Sequence, residues 1–223
     1  MNKPAARPLR LIAVAFVALS SASPRAARAG DYVLSFSNAT QLVTSTAKVT
    51  TTNFTFEAWF KISSFTGENQ ICGQYSSVSG SNAGRTIVAT RNTKASFFIG
   101  GTWIDGNATI PSNTWTHIAV TRVGSTGSIY VNGALDKTGT LPTNALPSVG
   151  ITIGGINILN NGFRGQIADV RAWSIVRTAS DITANMSGRL KGTESGLVGY
   201  WPVNNYPGTV VSDLVASANG TLS

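Results

Sequence analysis

Between Asn113 and Trp173 the chain repeats one pattern, in which apolar and polar residues alternate and glycine or Asn-Gly separates the repeats. The clearest segments are Trp115–Arg122, Ile129–Val131 and Phe163–Trp173. An alternation with a period of two is typical of β-strands that bury one face, and glycine-containing breaks are typical of turns between antiparallel strands. This region therefore predicts an antiparallel all-β fold.

Residues 54–62 carry the strongest strand pattern, and they also predict how that strand is packed. Aromatic and aliphatic side chains occupy every second position and share one face: Phe54, Phe56, Ala58, Phe60 and Ile62. The opposite face carries Trp59, a large apolar side chain that we expect to be partly covered. A strand with two covered faces is typical of an inner strand in a two-sheet sandwich.

Local signals predict two turns and a helix. Thr86–Thr90 and Ala95–Ile99 alternate in the same way and form a predicted hairpin. Asn132-Gly133 predicts a type I′ turn, because both residues tolerate a positive φ. Thr178, followed three residues later by Asp181, predicts a capping box and therefore one short helix near the C-terminal end.

Residues 1–29 have the layout of a secretory signal peptide. Lys3, Arg7 and Arg10 form a basic start, Leu11–Leu19 is a continuous apolar run, and residues 27–29 form a small-x-small cleavage signal. The apolar run is far shorter than the roughly 20 residues of a spanning helix, so no membrane insertion is expected after the leader is removed. We therefore expect one domain over residues 30–223 that is secreted, either extracellular or periplasmic.

Charge argues against a nucleic-acid partner. Five of the 17 Lys and Arg residues lie in the leader and none of the nine acidic residues does, which leaves a net charge of only +3 on residues 30–223. The remaining basic residues are scattered along the chain. Tracking a phosphate backbone requires a basic stripe or patch, and no such cluster is present in the sequence.

Cys72 is the only cysteine, so an internal disulfide is impossible. It lies in the apolar patch Gln70–Gly73, which favours a buried side chain that acts as a small hydrophobe. The alternative is a disulfide between two chains. The fold must in either case be stabilised by apolar burial, which a chain of this length can supply.

Five segments, spread over nearly the whole of residues 30–223, resemble the LamG-like jelly-roll family of the concanavalin A-like lectin/glucanase superfamily. They share the order and spacing of the family's motifs: Phe54–Lys61, Trp115–Val120, Tyr130–Gly133, Phe163–Trp173 and Gly196–Trp201. The resemblance implies a two-sheet antiparallel jelly-roll sandwich with one short helix, used mostly as an extracellular binding or adhesion module. Because this fold hosts both lectins and enzymes, the function has to be argued from the site residues.

The resemblance also implies a calcium site at the rim of the sandwich, where many relatives bind one ion with carboxylates and loop carbonyls. Residues 213–222 match the family's late acidic loop, one residue short, and keep Asp213 and Asn219. Asp169 stands where the family more often has glutamate, whereas Ala168 and Ser37 stand where relatives often carry acids. Asp213, Asp169 and Asn219 are therefore the candidate calcium ligands. The alternative is that Asp213 only orders a turn.

No catalytic residue is expected. Glucanases on this fold use two carboxylates, in one common class arranged as Glu-x-Asp-x-x-Glu on a single strand, and that triplet is missing here. His117 is the only histidine, and no Gly-x-Ser-x-Gly motif accompanies it, so we expect a structural role for it beneath a loop. A glycoside hydrolase whose carboxylates meet from distant positions is the alternative.

Sugar recognition needs an aromatic ring together with amide or carboxylate side chains. Trp59, Trp115, Trp173 and Trp201 lie within strand patterns and are expected in the core. The fifth tryptophan, Trp103, lies among polar residues that we interpret as a loop, together with Asp105 and Asn107. Two arrangements stay open for its ring, an exposed plate for a sugar or an apolar ring folded back over the sheet edge.

The sequence as a whole therefore predicts a secreted, non-catalytic binding module. The predicted partner is a glycan or an extracellular or cell-surface protein, and Trp103, Asp105 and Asn107 are the candidate binding residues. A hydrolase on the same fold, or a structural surface or adhesion module, are the alternative functions.

Overall fold

The computed structural model describes residues 33–38, 40–75, 85–143, 146, 148–155, 161–203 and 209–223. The predicted signal peptide, residues 1–29, lies outside the described residues, so it stays a prediction. No helix among the described residues has the length and apolarity that crossing a bilayer requires.

The regular secondary structure of the described chain is almost entirely β, as the sequence predicts. In chain order they are β1 (Leu34–Phe36), β2 (Val43–Thr44), β3 (Phe54–Ile62), β4 (Glu68–Gln74), β5 (Thr86–Arg91), β6 (Lys94–Ile99), β7 (Thr102–Thr109), β8 (Thr116–Val123), β9 (Thr126–Val131), β10 (Ala134–Thr140), β11 (Ile151–Ile153), β12 (Gly165–Trp173), β13 (Leu197–Trp201), β14 (Val210–Val211) and β15 (Gly220–Leu222). One helix, α1 (Ala179–Asn185), follows β12.

These strands form two antiparallel sheets. The first, here called sheet 1, has the order β1-β12-β3-β8-β9-β10, with β13 paired to β12. The second, sheet 2, has the order β14-β15-β2-β11-β4-β5-β6-β7. Seven of the neighbouring strand pairs in the described chain are consecutive and six are distant in sequence, as expected when hairpins alternate with crossings between the two layers of a sandwich. The predicted fold class is confirmed.

The core lies between the sheets and is dominated by aromatic and β-branched side chains. The five alternate residues of β3 that the sequence assigned to one face are all fully buried in it. Phe54 of sheet 1 meets Phe97 of sheet 2 edge to face, with ring centroids 6.1 Å apart. Truncating one such buried ring to alanine would cost about 3–5 kcal/mol, so the apolar interior is a large part of what holds the layers together.

The local predictions are also confirmed. Asn132 and Gly133 have φ values of 50° and 82°, as a type I′ turn requires. Asn92 and Thr93 form the equally tight turn of the predicted β5–β6 hairpin, also with positive φ. At the start of α1, Asp181 N donates to Thr178 Oγ1 at 3.1 Å and Thr178 N donates to Asp181 Oδ2 at 3.0 Å, which completes the capping box.

One prediction of local structure is wrong. The segment around Trp103, interpreted from its polar and glycine residues as a loop, is strand β7 at the edge of sheet 2. The glycines belong mainly to the preceding turn, where Gly100 and Gly101 have φ values of 56° and 105°. The polar residues alternate with buried Ile104 and Gly106, so they form the outward face of an edge strand.

Cys72 lies in the main core with 2% of its surface exposed, and burial raises the pKa of its thiol to about 12. At neutral or mildly alkaline pH the thiol of the folded protein is therefore protonated and shielded. We expect a disulfide-exchange reagent to leave the native protein unmodified and to titrate one thiol after denaturation, when the pKa returns to about 8.5. Rapid labelling of the native protein would show that this part of sheet 2 opens.

Candidate functional site

The outer face of sheet 1 is covered by α1 and by the segment that follows it. Trp59 Nε1 donates to the carbonyl oxygen of Met186 at 2.6 Å. Arg171 donates from Nη1 to the Asn185 carbonyl at 3.0 Å and from Nη2 to the Gly188 carbonyl at 2.6 Å. These bonds hold the helix end against β3 and β12, so the centre of this face is closed to a ligand.

A buried charge network lies beneath that cover. Arg171 Nη2 is 3.1 Å from Asp169 Oδ2, and Arg171 Nη1 is 3.9 Å from Glu57 Oε2. His117 Nε2 lies 3.5 Å from the same Glu57 oxygen, and its ring packs against Trp59 with centroids 5.3 Å apart. All four ionisable side chains are at most 2% exposed. His117 thus has the structural position that the sequence predicts.

The network sets the ionisation of Glu57. Burial alone would raise the pKa of this carboxyl, but the close approach of His117 and the charge of Arg171 outweigh it and hold the pKa below its usual value. Glu57 and Asp169 are carboxylates from distant positions that meet in space, as the hydrolase alternative requires. Both are buried beneath α1 and joined by Arg171, so a glycosidic bond does not reach them in this structure.

The predicted calcium ligands are only partly brought together. Asp213 accepts four backbone N–H groups, two on each carboxylate oxygen, from Tyr200, Val215, Ala216 and Ala218 at 2.8–3.2 Å. Its own N–H donates to Asn219 Oδ1 at 3.0 Å. Asp213 therefore orders the turn from residue 213 to 219, which is the alternative reading of this residue.

This arrangement does not fit a calcium ion. Both Asp213 oxygens face N–H donors, and Asp169 is bound to Arg171, whereas Ca²⁺ requires six to eight oxygen ligands. Among the residues that the structure describes, no cluster of three or more His, Cys, Asp or Glu side chains could hold a metal. A calcium titration, described below, tests whether Asp213, Asp169 and Asn219 bind the ion.

The predicted sugar-binding residues lie on the outer face of sheet 2. Trp103 packs against Phe98, with ring centroids 4.8 Å apart, in a small apolar cluster separate from the main core. The Arg91 guanidinium lies over the Trp103 ring, 4.4 Å from its centroid. Trp103 is thus neither a free plate nor buried, because its ring is half-buried with polar partners around it.

Asp105 is the polar centre of this group. Arg91 Nη1 donates to both of its oxygens at 3.0 and 2.9 Å, and Ser96 Oγ donates to Oδ1 at 2.7 Å. The Asp105 side chain is 46% exposed and that of Arg91 28%. We refer to Arg91, Ser96, Phe98, Trp103 and Asp105 as the Trp103 cluster. It presents an aromatic ring, a carboxylate and a guanidinium to solvent at one place.

Asn107, the third predicted sugar-binding residue, bonds the neighbouring sheet. Its Nδ2 donates to the Asp136 carbonyl at 2.7 Å, and its N–H donates to Asp136 Oδ2 at 2.9 Å. Asp136 lies on β10, so these bonds join the edge strands of the two sheets. Asn107 is exposed, but its side-chain amide is used in the contact between β7 and β10.

Sequence reasoning missed Arg91, Ser96 and Phe98. The predicted hairpin contains all three, but their meeting with β7 depends on the register, in which Ser96 pairs with Asp105 and Phe98 with Trp103. A second pair of the same kind was also missed. Arg85 lies 4.4 Å above the ring of Tyr75 and donates to its hydroxyl at 2.6 Å.

Comparison with known proteins agrees with this architecture. A family model described as the concanavalin A-like lectin/glucanases superfamily, of the laminin G type, matches residues 36–183. The chain belongs to this superfamily. Among curated proteins, mouse (Mus musculus) pappalysin-1 is 28% identical over 93 residues, which are 40% of this chain and 6% of that protein.

Solved structures of similar fold include three with carbohydrate in their descriptions. A provisionally assigned carbohydrate-binding protein of Bacteroides ovatus is 24% identical with a TM-score of 0.69, over 82% of this chain but only 56% of that one. The CBM40 of a Ruminococcus gnavus IT-sialidase, bound to α2,3-sialyllactose, is 13% identical with a TM-score of 0.57 over 70% of this chain and 96% of its own. Domain 4 of a Geobacillus stearothermophilus extracellular arabinanase, in complex with arabinotriose, is 19% identical with a TM-score of 0.51 over 70% and 72%.

The buried network of this superfamily member predicts a pH-dependent stability. Because the pKa of Glu57 is lowered in the fold, its stabilisation is present above the unfolded pKa of about 4.3 and is lost as pH falls through the folded pKa. Glu57→Gln should cost about 3–5 kcal/mol at neutral pH and should weaken the loss of stability in acid. Urea unfolding from neutral pH to below the unfolded pKa measures the stability cost and the acid dependence, with Glu68→Gln as the control. Equal acid sensitivity of the variant and the wild type would contradict the role of Glu57.

The Asp213 turn gives a second test. Asp213→Asn replaces an acceptor oxygen with a donor and leaves partly buried N–H groups unpaired, so we expect a loss of about 1–3 kcal/mol in unfolding free energy. Calcium or a chelator should leave the melting temperature of the wild type unchanged. Glu68→Gln, the same kind of carboxylate-to-amide change used as the control for Glu57, serves as the control here as well. A calcium-dependent rise in melting temperature that Asp213→Asn removes would instead establish the metal site.

Proposed function

We propose that this chain is a secreted, non-catalytic carbohydrate-binding module that holds its glycan at the Trp103 cluster on the outer face of sheet 2. The observation that carries the proposal is the meeting of a half-buried tryptophan ring with partly exposed Asp105 and Arg91 side chains. The centre of the corresponding face of sheet 1 is covered by the end of α1, so it offers no comparable surface there.

The chemistry of the cluster suits a sugar. The apolar face of a sugar ring can pack on the aromatic surface of Trp103 and Phe98, and its hydroxyls need both donors and acceptors at the edge of that surface. Asp105 supplies an acceptor and Arg91 a planar set of donors, and hydrogen bonds to charged groups are stronger than neutral ones.

The face is long enough for more than one sugar ring. Ile87 belongs to the same apolar group as Phe98 and Trp103. Arg85 is two residues before Ile87, so its side chain is on the same face of the sheet, where it meets Tyr75. Ile87 therefore lies between the Tyr75–Arg85 pair and the Trp103 cluster. Arg85 and Trp103 are two strands and about two residues apart, which corresponds to roughly 12 Å. This spacing favours an oligosaccharide that lies across β5 and β6.

The comparisons support carbohydrate as the ligand class. The Ruminococcus and Geobacillus domains, described in complex with sialyllactose and arabinotriose, have the same sandwich fold. The predicted leader supports secretion, since a module for extracellular glycans has to leave the cell. A non-catalytic role is supported by the engagement of Glu57 and Asp169 with Arg171, and of Asp105 with Arg91.

A glycan array followed by calorimetry on the best ligand tests this proposal. Trp103→Ala should weaken binding at least about tenfold, equivalent to 1.4 kcal/mol, because it removes the apolar surface under the sugar. Trp103→Phe should retain part of the affinity. Leu135→Ala, which changes an exposed apolar residue on β10, is the matched control and should have no effect.

Circular dichroism and thermal unfolding should show that each variant is folded. Undiminished binding by Trp103→Ala would remove the cluster as the site. A wild-type protein that binds no glycan on the array would refute the proposed function.

A further inference from the structure

A second candidate site lies on sheet 1, at the end away from α1. An open pocket of about 270 Å³ is lined there by six residues, Phe36, Lys61, Ser63, Asn113, Gly165 and Gln166. None of them belongs to the Trp103 cluster. The pocket is formed where β1 and β3 end and β12 begins, next to the connection that leads into β8.

The backbone around the pocket is held in an unusual conformation. Gly165 has a φ of 140°, and a Cβ at this position would collide with the carbonyl oxygen of Lys61, so only glycine leaves the two strands this close. Asn113 has a φ of 55°, and its N–H donates to the Ile62 carbonyl at 2.7 Å. Lys61 and Gln166 are direct cross-strand partners in the β3–β12 register. The polar side chains are therefore brought to one place by fixed elements.

These side chains have hydrogen-bonding capacity that the protein does not use. Across the described parts of the chain, the Lys61 ammonium and the side-chain amides of Asn113 and Gln166 have no hydrogen-bond or ion-pair partner. Ser35, paired with Gln166 in the β1–β12 register, has a buried hydroxyl that also lacks a partner. None of the lining residues is acidic, so the positive charge of Lys61 is not compensated within the pocket.

We propose that this pocket binds the carboxylate of an acidic sugar residue. An uncompensated ammonium with neutral amides around it attracts a compact anion, and the bond it forms is charge-assisted. The two amides offer both donors and acceptors to the hydroxyls of the same sugar. The volume is below the roughly 300–1,000 Å³ of sites for larger ligands, which fits a single ring. The proposal does not depend on the Trp103 cluster.

Titrations with sodium D-glucuronate, methyl β-D-glucopyranoside and sodium acetate, followed by NMR chemical shifts, test the pocket. We expect saturable binding of glucuronate with shift changes at the lining residues, and at least about tenfold weaker binding of the neutral glucoside and of acetate. Lys61→Gln should weaken glucuronate binding by a similar factor, and Lys61→Arg should restore part of it. Lys48→Gln removes the same charge from an exposed position that bonds Ser148, and it should have no effect.

Several results would overturn the assignment. If the neutral glucoside binds as tightly as glucuronate, the pocket does not recognise the carboxylate. If acetate binds as tightly as glucuronate, the pocket is only an anion site. No saturable binding by the folded wild type would remove the site altogether. Trp103→Ala should leave glucuronate binding unchanged. If that variant abolishes it, the acid binds at the Trp103 cluster and the Lys61 pocket is excluded, whatever the outcome for the proposed function.

Discussion

The guanidinium of Arg171 is the contact on which the arrangement of sheet 1 depends. It is almost completely buried, it forms ion pairs with Glu57 and Asp169, and it donates to the carbonyls of Asn185 and Gly188. Burial would lower its pKa, but the two carboxylates outweigh that effect and raise it, so the charge persists. An unpaired buried charge costs several kcal/mol. The end of α1 must therefore stay in place, and it closes the centre of one outer face.

A β-bulge in β12 makes this contact possible. The register with β3 shifts between Ala168 and Arg171, and Asp169, at the shift, has a φ of 56°. Asp is one of the few residues other than glycine that tolerate this conformation. Because of the extra residue, the side chain of Val170 lies in the core and that of Arg171 lies on the outer face, opposite Glu57. The bulge thus serves the core and the buried network at the same time.

The parts of the fold that follow local rules could be predicted from the sequence, and the sites mostly could not. The alternation of β3, the Asn132-Gly133 turn and the cap at Thr178 each depend on residues a few positions apart. Trp103 was assigned to a loop because glycines precede and interrupt an edge strand whose outward residues are polar. Edge strands bury only one face, so their pattern is weak. The strand becomes evident only when β6 pairs with it.

The engagement of charged groups was still less predictable. In the sequence, Asp213 is a residue type that binds metals. In the structure its oxygens accept backbone N–H groups, because the chain after it folds back as a turn next to Tyr200. Glu57 stands alone in the sequence and meets Arg171 through the β3–β12 register. Arg91 on β5 reaches Trp103 on β7 across the intervening strand β6. In each case the decisive partner is distant along the chain, and a spacing motif carries no information about it.

The difference between the two outer faces has an energetic basis. The Arg91–Asp105 pair is partly exposed, and exposed ion pairs and cation–π contacts are each worth at most about 1 kcal/mol. A ligand can therefore displace Arg91 from the Trp103 ring for about 1–2 kcal/mol and regain that energy through its own contacts. Breaking the Arg171 network instead costs about 3–5 kcal/mol. The polar contacts at the covered centre of sheet 1 are therefore the more rigid ones, and those of the Trp103 cluster on sheet 2 are the ones that the proposed glycan would replace.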